Sequence, residues 1–243
     1  MIKIEKMEIS GLANALYGMR LPKNSNHLSD SYCFVYNYLK KETEGIHLNN
    51  VTNNHKVLDV FIGPKDKKLA ENLVLAGTDH GKWFRQVQLS FLLTAPMTAW
   101  WDIDTYKVAT VKNSSSRMHK ITSRPLTIND FSYDDKDGKT ISNPFRDVTI
   151  LHLNNLILKY NSLPADSEEK ENIFRQIIQD LPQSFNFTAT YTCSAQTARA
   201  YYFARRNHKQ KELRDLANFF AHLPNAQEIS DFITIENKER YFK

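Results

Sequence analysis

Glycine is scarce in this chain. Seven in 243 residues falls well short of the usual share of about 7%. Neither a Gly-x-Gly-x-x-Gly turn nor a Gly-x-x-x-x-Gly-Lys-Ser/Thr loop is present, which excludes the common Gly-rich cradles for phosphate. Cysteine is scarcer still. Cys33 and Cys193 are too far apart and too few for a disulfide framework or a zinc site, so two reduced thiols are expected. Long apolar runs are missing. A long uncharged stretch, Gln86–Trp101, carries Gln, Ser, Thr and Pro96 and is shorter than the ~20 residues of a spanning helix. The N-terminus alternates charged with apolar residues, which is not the pattern of a signal peptide. The expectation is a soluble cytoplasmic protein with no membrane partner. There is no His-Glu-x-x-His, and no Ser/His/Asp signature of a hydrolase.

What is present is an ordinary globular mixture: 41% apolar, 24% charged and 12% aromatic residues. The net charge of +5 suits a phosphorylated ligand without demanding one. No repeat and no Pro-, Gly- or Ser-rich linker divides the chain, so residues 1–243 read as a single domain. Residues 1–10 alternate like a strand and are expected at a sheet edge, and 29–41 are aromatic-rich and ambiguous between strand and helix. The polar segments 42–56 and 129–144 read as flexible loops, the second as loop or solvated hairpin. Gly63-Pro64 opens a helix that Gly77 closes. A buried strand is expected over Trp83–Leu93 and a helix over Met97–Tyr106, with Pro96 in its first turn. Helices follow over Arg146–Tyr160 and from Ser167 to Pro182. A strand over Phe185–Tyr191 then leads to helices near Ala195–Arg206 and Lys209–His222. Strands and helices without regular alternation give an α+β fold, a sheet flanked by helices.

Two stretches could carry chemistry. Tyr106–Arg124 holds Lys107, Lys112, Arg117, Lys120 and Arg124 around Asn113-Ser114-Ser115-Ser116, with no acidic residue. Short hydroxyls and amides beside cations can hold a phosphate; the plainer reading is a solvated loop with basic neighbours. Arg199–Arg214 holds Arg199, Arg205, Arg206, Lys209, Lys211 and Arg214 with Tyr201, Tyr202 and Phe203 among them. Rings that stack on a base and guanidinium groups that take a phosphate fit a nucleotide, and a pair of amphipathic helices fits equally. His80, after the Gly77 helix end, is either a ligand or a helix-end cation. Asp102 and Asp104, two apart on a helix, point in different directions and make a poor acid–base pair. A nucleic-acid module built on the basic stretches is a weaker alternative, because no recognised binding motif accompanies them.

Over Trp83–His119 the order of features resembles the flavin-dependent thymidylate synthases. That family shows a His, a Phe-Glu-His segment, a strand, and a helix running into Arg-His-Arg-x-x-Ser-x-Asn-Glu-x-Ser-x-Arg-Tyr. His80 stands at the first His and Trp83-Phe84-Arg85-Gln86 at Phe-Glu-His; Tyr106–His119 overlies the signature, whose fixed letters are kept at Asn113 and Ser116. His208, Gln210, Glu212 and Arg214 keep the spacing of the family's late His-Ala-Gln-Trp-Glu turn and the Arg after it. The likeness covers about 60–225. It implies a homotetramer, and one-carbon transfer to dUMP with FAD, methylenetetrahydrofolate and NADPH. It implies nucleotide binding by Asn113, Ser114, Ser116, Arg117, Arg199, Arg206 and Arg214. It implies flavin contacts by His80, Arg85, Lys107, His208 and Gln210. Tyr106, Lys107 and Val108 in place of Arg-His-Arg leave one point charge where two forked guanidinium groups stood. The alternative that follows is a homologue that binds or sequesters a nucleotide without flavin.

Overall fold

Alternating burial along β5 (Gln88–Pro96) and β7 (Asn186–Ser194) builds the centre of the protein. In this computed structural model, which describes residues 2–115, 120–133, 135, 139, 141 and 143–236, the two strands pair antiparallel over their full length. Leu89, Phe91, Leu93 and Ala95 lie on one face opposite Cys193, Tyr191, Ala189 and Phe187. The period of two puts these side chains together and sends Ser90, Thr94, Thr188, Thr190 and Thr192 to the other face. β1 (Lys3–Ser10) flanks β5, and the short β6 (Val111–Ser114) flanks β7, giving the order β1-β5-β7-β6. β1 is an edge, as its alternation implied, and a register shift between Glu5 and Glu8 accompanies the positive φ of Lys6.

Helices cover the apolar face. After β7 come α6 (Ala195–Arg205), α7 (Lys211–Ala221) and α8 (Gln227–Thr234), numbered after five earlier helices: α1 (Leu12–Arg20), α2 (Pro64–Leu75), α3 (Met97–Ile103), α4 (Pro144–Ser162) and α5 (Glu168–Asp180). Phe91 packs against Phe219 and Phe220 of α7, and Trp100 of α3 stacks on Phe187. A second sheet, β3-β2-β4, is formed by β2 (Tyr32–Asn37), β3 (Glu42–His47) and β4 (His55–Phe61). Cys33 and Val35 carry its inner face into the main core.

Three expectations change. Segment 42–56 is not a loop: it forms β3 and the start of β4, because its polar residues sit on an edge whose backbone pairs with β2. Trp83 and Phe84 lie in a 3-10 turn over Gly81–Arg85, buried by packing with Phe232, and the strand begins only at Gln88. In 129–144, Phe131 bridges to Phe185 and the helix starts at Pro144, capped by Asn143, while 134, 136–138, 140 and 142 lie outside the described residues. α5 starts next to Ser167 as anticipated, with the Ser167 side chain as its cap, and Gly77, at φ +109, ends α2.

Candidate functional site

α3 is where both basic stretches meet. It leaves β5 at Pro96, and its first amides are fixed on the β7 entry: Met97 donates to the Phe185 carbonyl and Thr98 to that of Gln183. On one flank, the chain after α3 turns at Ala109, whose φ of +54 is costly for a residue with a Cβ, and enters β6. Thr197 on α6 holds this turn by donating to the Val108 carbonyl at 2.9 Å. Lys112 pairs with Asp104 at 2.5 Å and lies over the Trp100 ring. On the other flank, Gln210 Nε2 donates to Thr98 Oγ1 at 3.2 Å. Between them, Arg205 Nε donates to Asp102 Oδ1 at 2.7 Å, and its guanidinium lies over the Tyr106 ring. Asp102 and Asp104 thus take different cations, as their two-residue spacing implied.

The individual assignments separate into three groups. Lys107, Asn113, Ser114, His208, Gln210 and Arg214 lie around α3 and the α6–α7 turn. Asn113 and Ser114 occupy successive positions on exposed β6, so they face opposite sides of the sheet: Asn113 shares the open face with Thr190, Ser114 the helix side with Ala189. His208 Nδ1 accepts from the Gln210 amide, and Arg214 Nη1 donates to the His208 and Lys209 carbonyls, closing the turn. Arg199 and Arg206 face α8 instead. Arg199 donates to the Phe232 and Ile233 carbonyls at 3.1 and 2.8 Å, and Arg206 pairs with Glu236. Burial holds the Arg199 pKa below its ordinary value. His80 and Arg85 lie beyond α2, where Arg85 donates to the Thr78 carbonyl. Ser116 and Arg117 lie outside the described residues.

One feature escaped the sequence reading. At the end of the open sheet face a cleft of about 290 Å³ is lined by Thr94, Ser115, Lys120, Arg124, Asn186 and Thr188, among others. Thr94 and Thr188 share a hydrogen bond of 2.6 Å, and the Ser115 amide donates to the Thr188 carbonyl. Arg124 pairs with Asp130 at 2.5 Å. The signal was present as the alternate threonines of 188–192, whose spacing marks a second, polar face of a strand otherwise read for its apolar one.

The thiols are outside this chemistry. Burial pushes Cys193 up to about 12, and burial together with the nearby Asp59 charge pushes Cys33 up to about 11, so both stay protonated near neutrality. Among the described residues no group of three or more metal-ligating side chains gathers, and no helix is long and apolar enough to cross a membrane.

No protein-family model and no curated relative matches this sequence. Solved structures do. A flavin-dependent thymidylate synthase, ThyX, from Helicobacter pylori, complexed with FAD and dUMP, superposes with a TM-score of 0.62 at 15% identity over 94% of this chain and 98% of its own. A second structure of the Helicobacter pylori enzyme with the same ligands gives 0.63 at 14% identity, covering 96% and 100%. The UMP/dUMP methylase PolB from Streptomyces cacaoi, bound with 5-Br dUMP, gives 0.52 at 15% identity, covering 91% and 88%. This chain has the fold of the flavin-dependent thymidylate synthases. The ThyX-like fold reaches well beyond 60–225, since the match covers 96% of the chain.

Proposed function

We propose that this chain is a thymidylate-synthase-like protein that acts on a uridine monophosphate nucleotide bound beside α3. The observation that carries this reading is the meeting of both cationic stretches at one helix, on a fold whose solved members hold dUMP. Arg214 closes the α6–α7 turn with Nη1 and is the group we assign to the phosphate. Lys107, exposed at the start of the β6 turn, adds charge, and Ser114 adds a polar group on the helix side of the edge strand, whereas Asn113 faces the open side of the sheet.

The flavin asks for more. A dinucleotide phosphate is held best by forked guanidinium groups. Of the residues the resemblance gives to FAD, Arg85 is turned to the Thr78 carbonyl, His208 is engaged by the Gln210 amide, and the Gln210 side chain holds Thr98. Exposed His80 and Lys107 remain. Within one protomer this set fits a flavin diphosphate poorly, and we derive no step through it. That observation favours a second reading, a nucleotide-binding homologue without flavin.

Purified protein decides between the two. Visible flavin absorbance, or quenching of added FAD, together with a rise in melting temperature on adding dUMP, supports the enzyme. A colourless protein that dUMP stabilises and FAD does not supports the binder, since only a ligand of the folded state raises its melting point. Arg214→Ala is expected to weaken dUMP binding by about 1.5–3 kcal/mol. Indifference of the wild-type protein to dUMP removes both readings.

A further inference from the structure

α4 has two apolar faces, and the protomer uses only one. Leu153, Leu156 and Ile157 are buried against α5 and the segment around Phe131. On the opposite side Val148, Leu151 and Leu158 are 62%, 61% and 63% exposed, and Phe145 beside them is 83% exposed. A single exposed leucine is ordinary; four large apolar side chains along one helix face are the mark of a covered surface.

The spacing says what covers it. Val148, Leu151, Asn155 and Leu158 follow one another at intervals of three, four and three, the seam of a two-helix coiled coil. Asn155 falls at a seam position between two leucines and is exposed in the protomer. A polar side chain there is costly against an apolar partner but satisfied by its own copy, and it fixes register. One flank pair agrees. Asp147 lies on one flank of the seam, His152 and Lys159 on the other. In a parallel pair each flank residue meets the one five positions later on the second copy, which sets Asp147 beside His152; Asn154, the other residue of the first flank, is held within the protomer by the Leu126 amide and carbonyl. An antiparallel pair would set His152 against Lys159. His152 also holds Asp180, and Lys159 holds Glu169, within the protomer.

We propose that α4 is a self-association surface on which a second copy of this chain pairs in parallel and in register, Asn155 against Asn155. The proposal is independent of the nucleotide reading, since α4 carries none of the residues assigned to it.

The test measures the mass of the full-length chain in solution by light scattering on a sizing column. Wild type is expected to be at least dimeric, and Leu151→Glu with Leu158→Glu to halve its mass while circular dichroism and the response to dUMP stay unchanged. Because that variant could fail to fold, Asn155→Cys supplies a second measurement. Treated with diamide, which takes up the two electrons and two protons as two thiols join, it is expected to give a covalent dimer. The native thiols are buried and leave no background. A monomeric wild type, an unchanged mass in the folded glutamate variant, or no cross-link at Asn155→Cys overturns the proposal.

Discussion

Asp66 shows how far hydrogen bonding can offset the burial of a charge. Its carboxylate is fully buried at the start of α2, where it accepts from Ser29 at 2.6 Å and Ser31 at 2.5 Å and pairs with buried Arg20 at 2.5 Å. Burial alone pushes its pKa up. The hydrogen bonds from Ser29, Ser31 and Arg20, with the Arg20 charge, outweigh burial and hold it below the usual carboxylate range. The group therefore contributes stability in full above its unfolded pKa of about 3.9, and the contribution is lost as pH falls through the lower folded value. Asp66→Asn is expected to cost about 3–5 kcal/mol at pH 7, because it leaves Arg20 buried without its partner. Urea midpoints should fall less steeply for the variant than for wild type between pH 5 and 3, and parallel slopes would contradict the assignment. Tyr201 makes the opposite case. Its hydroxyl is buried without a hydrogen-bond partner, and burial pushes its pKa up. Tyr201→Phe is expected to be stabilising by about 1 kcal/mol in urea titration, since it removes an unsatisfied group and keeps the ring against Tyr106 and Phe220. A loss of stability would mean that a water satisfies the hydroxyl.

Helix ends explain why some basic residues are employed inside the protomer. Arg199 lies on α6, yet it bonds the last carbonyls of α8, groups that a helix leaves without internal partners. Its ring contact is Phe203, one turn on. Arg199→Met keeps much of the packing and is expected to destabilise the protein by about 1.5–3 kcal/mol while leaving dUMP affinity within error. A large loss of affinity with unchanged stability would return Arg199 to the nucleotide. From sequence, Arg199 and Arg214 look alike: both are cations on amphipathic helices of one stretch. What separates them is α8, an element whose short apolar stripe near the end of the chain gave little to read. Strands and helices with strong periodicity, such as β7, α5 and α7, were legible, as was the start of α5 near Ser167, because each is written in adjacent residues. β3 was not, because its pairing depends on β2 rather than on its own polar side chains. The convergence on α3 was legible as two basic stretches but not as geometry, since it rests on Thr98, an unremarkable residue in sequence that meets Gln210 only after both sheet and helices are in place.

At the scale of the whole chain the core has two parts. The larger joins both sheets to α1–α3 and α6–α8. The smaller lies between α4, α5 and the 121–133 segment, around Leu153, Ile157, Ile177 and Phe185, and Phe187 packs against both. So few residues at the junction should let the smaller part open before the sheet does. Leu93→Ala in the sheet and Leu153→Ala in α4 are each expected to cost about 2–5 kcal/mol, since both side chains are fully buried. Their signatures should differ. Leu93→Ala lowers protection from amide exchange throughout β5 and β7. Leu153→Ala speeds exchange chiefly in α4 and α5 and leaves the sheet close to its wild-type protection. The smaller core is also tied to the candidate site, because the Gln183 and Phe185 carbonyls that anchor the start of α3 lie at its edge. Leu153→Ala should therefore also reduce the thermal shift produced by dUMP, whereas uniform loss of protection in both variants would show the two cores to be one cooperative unit.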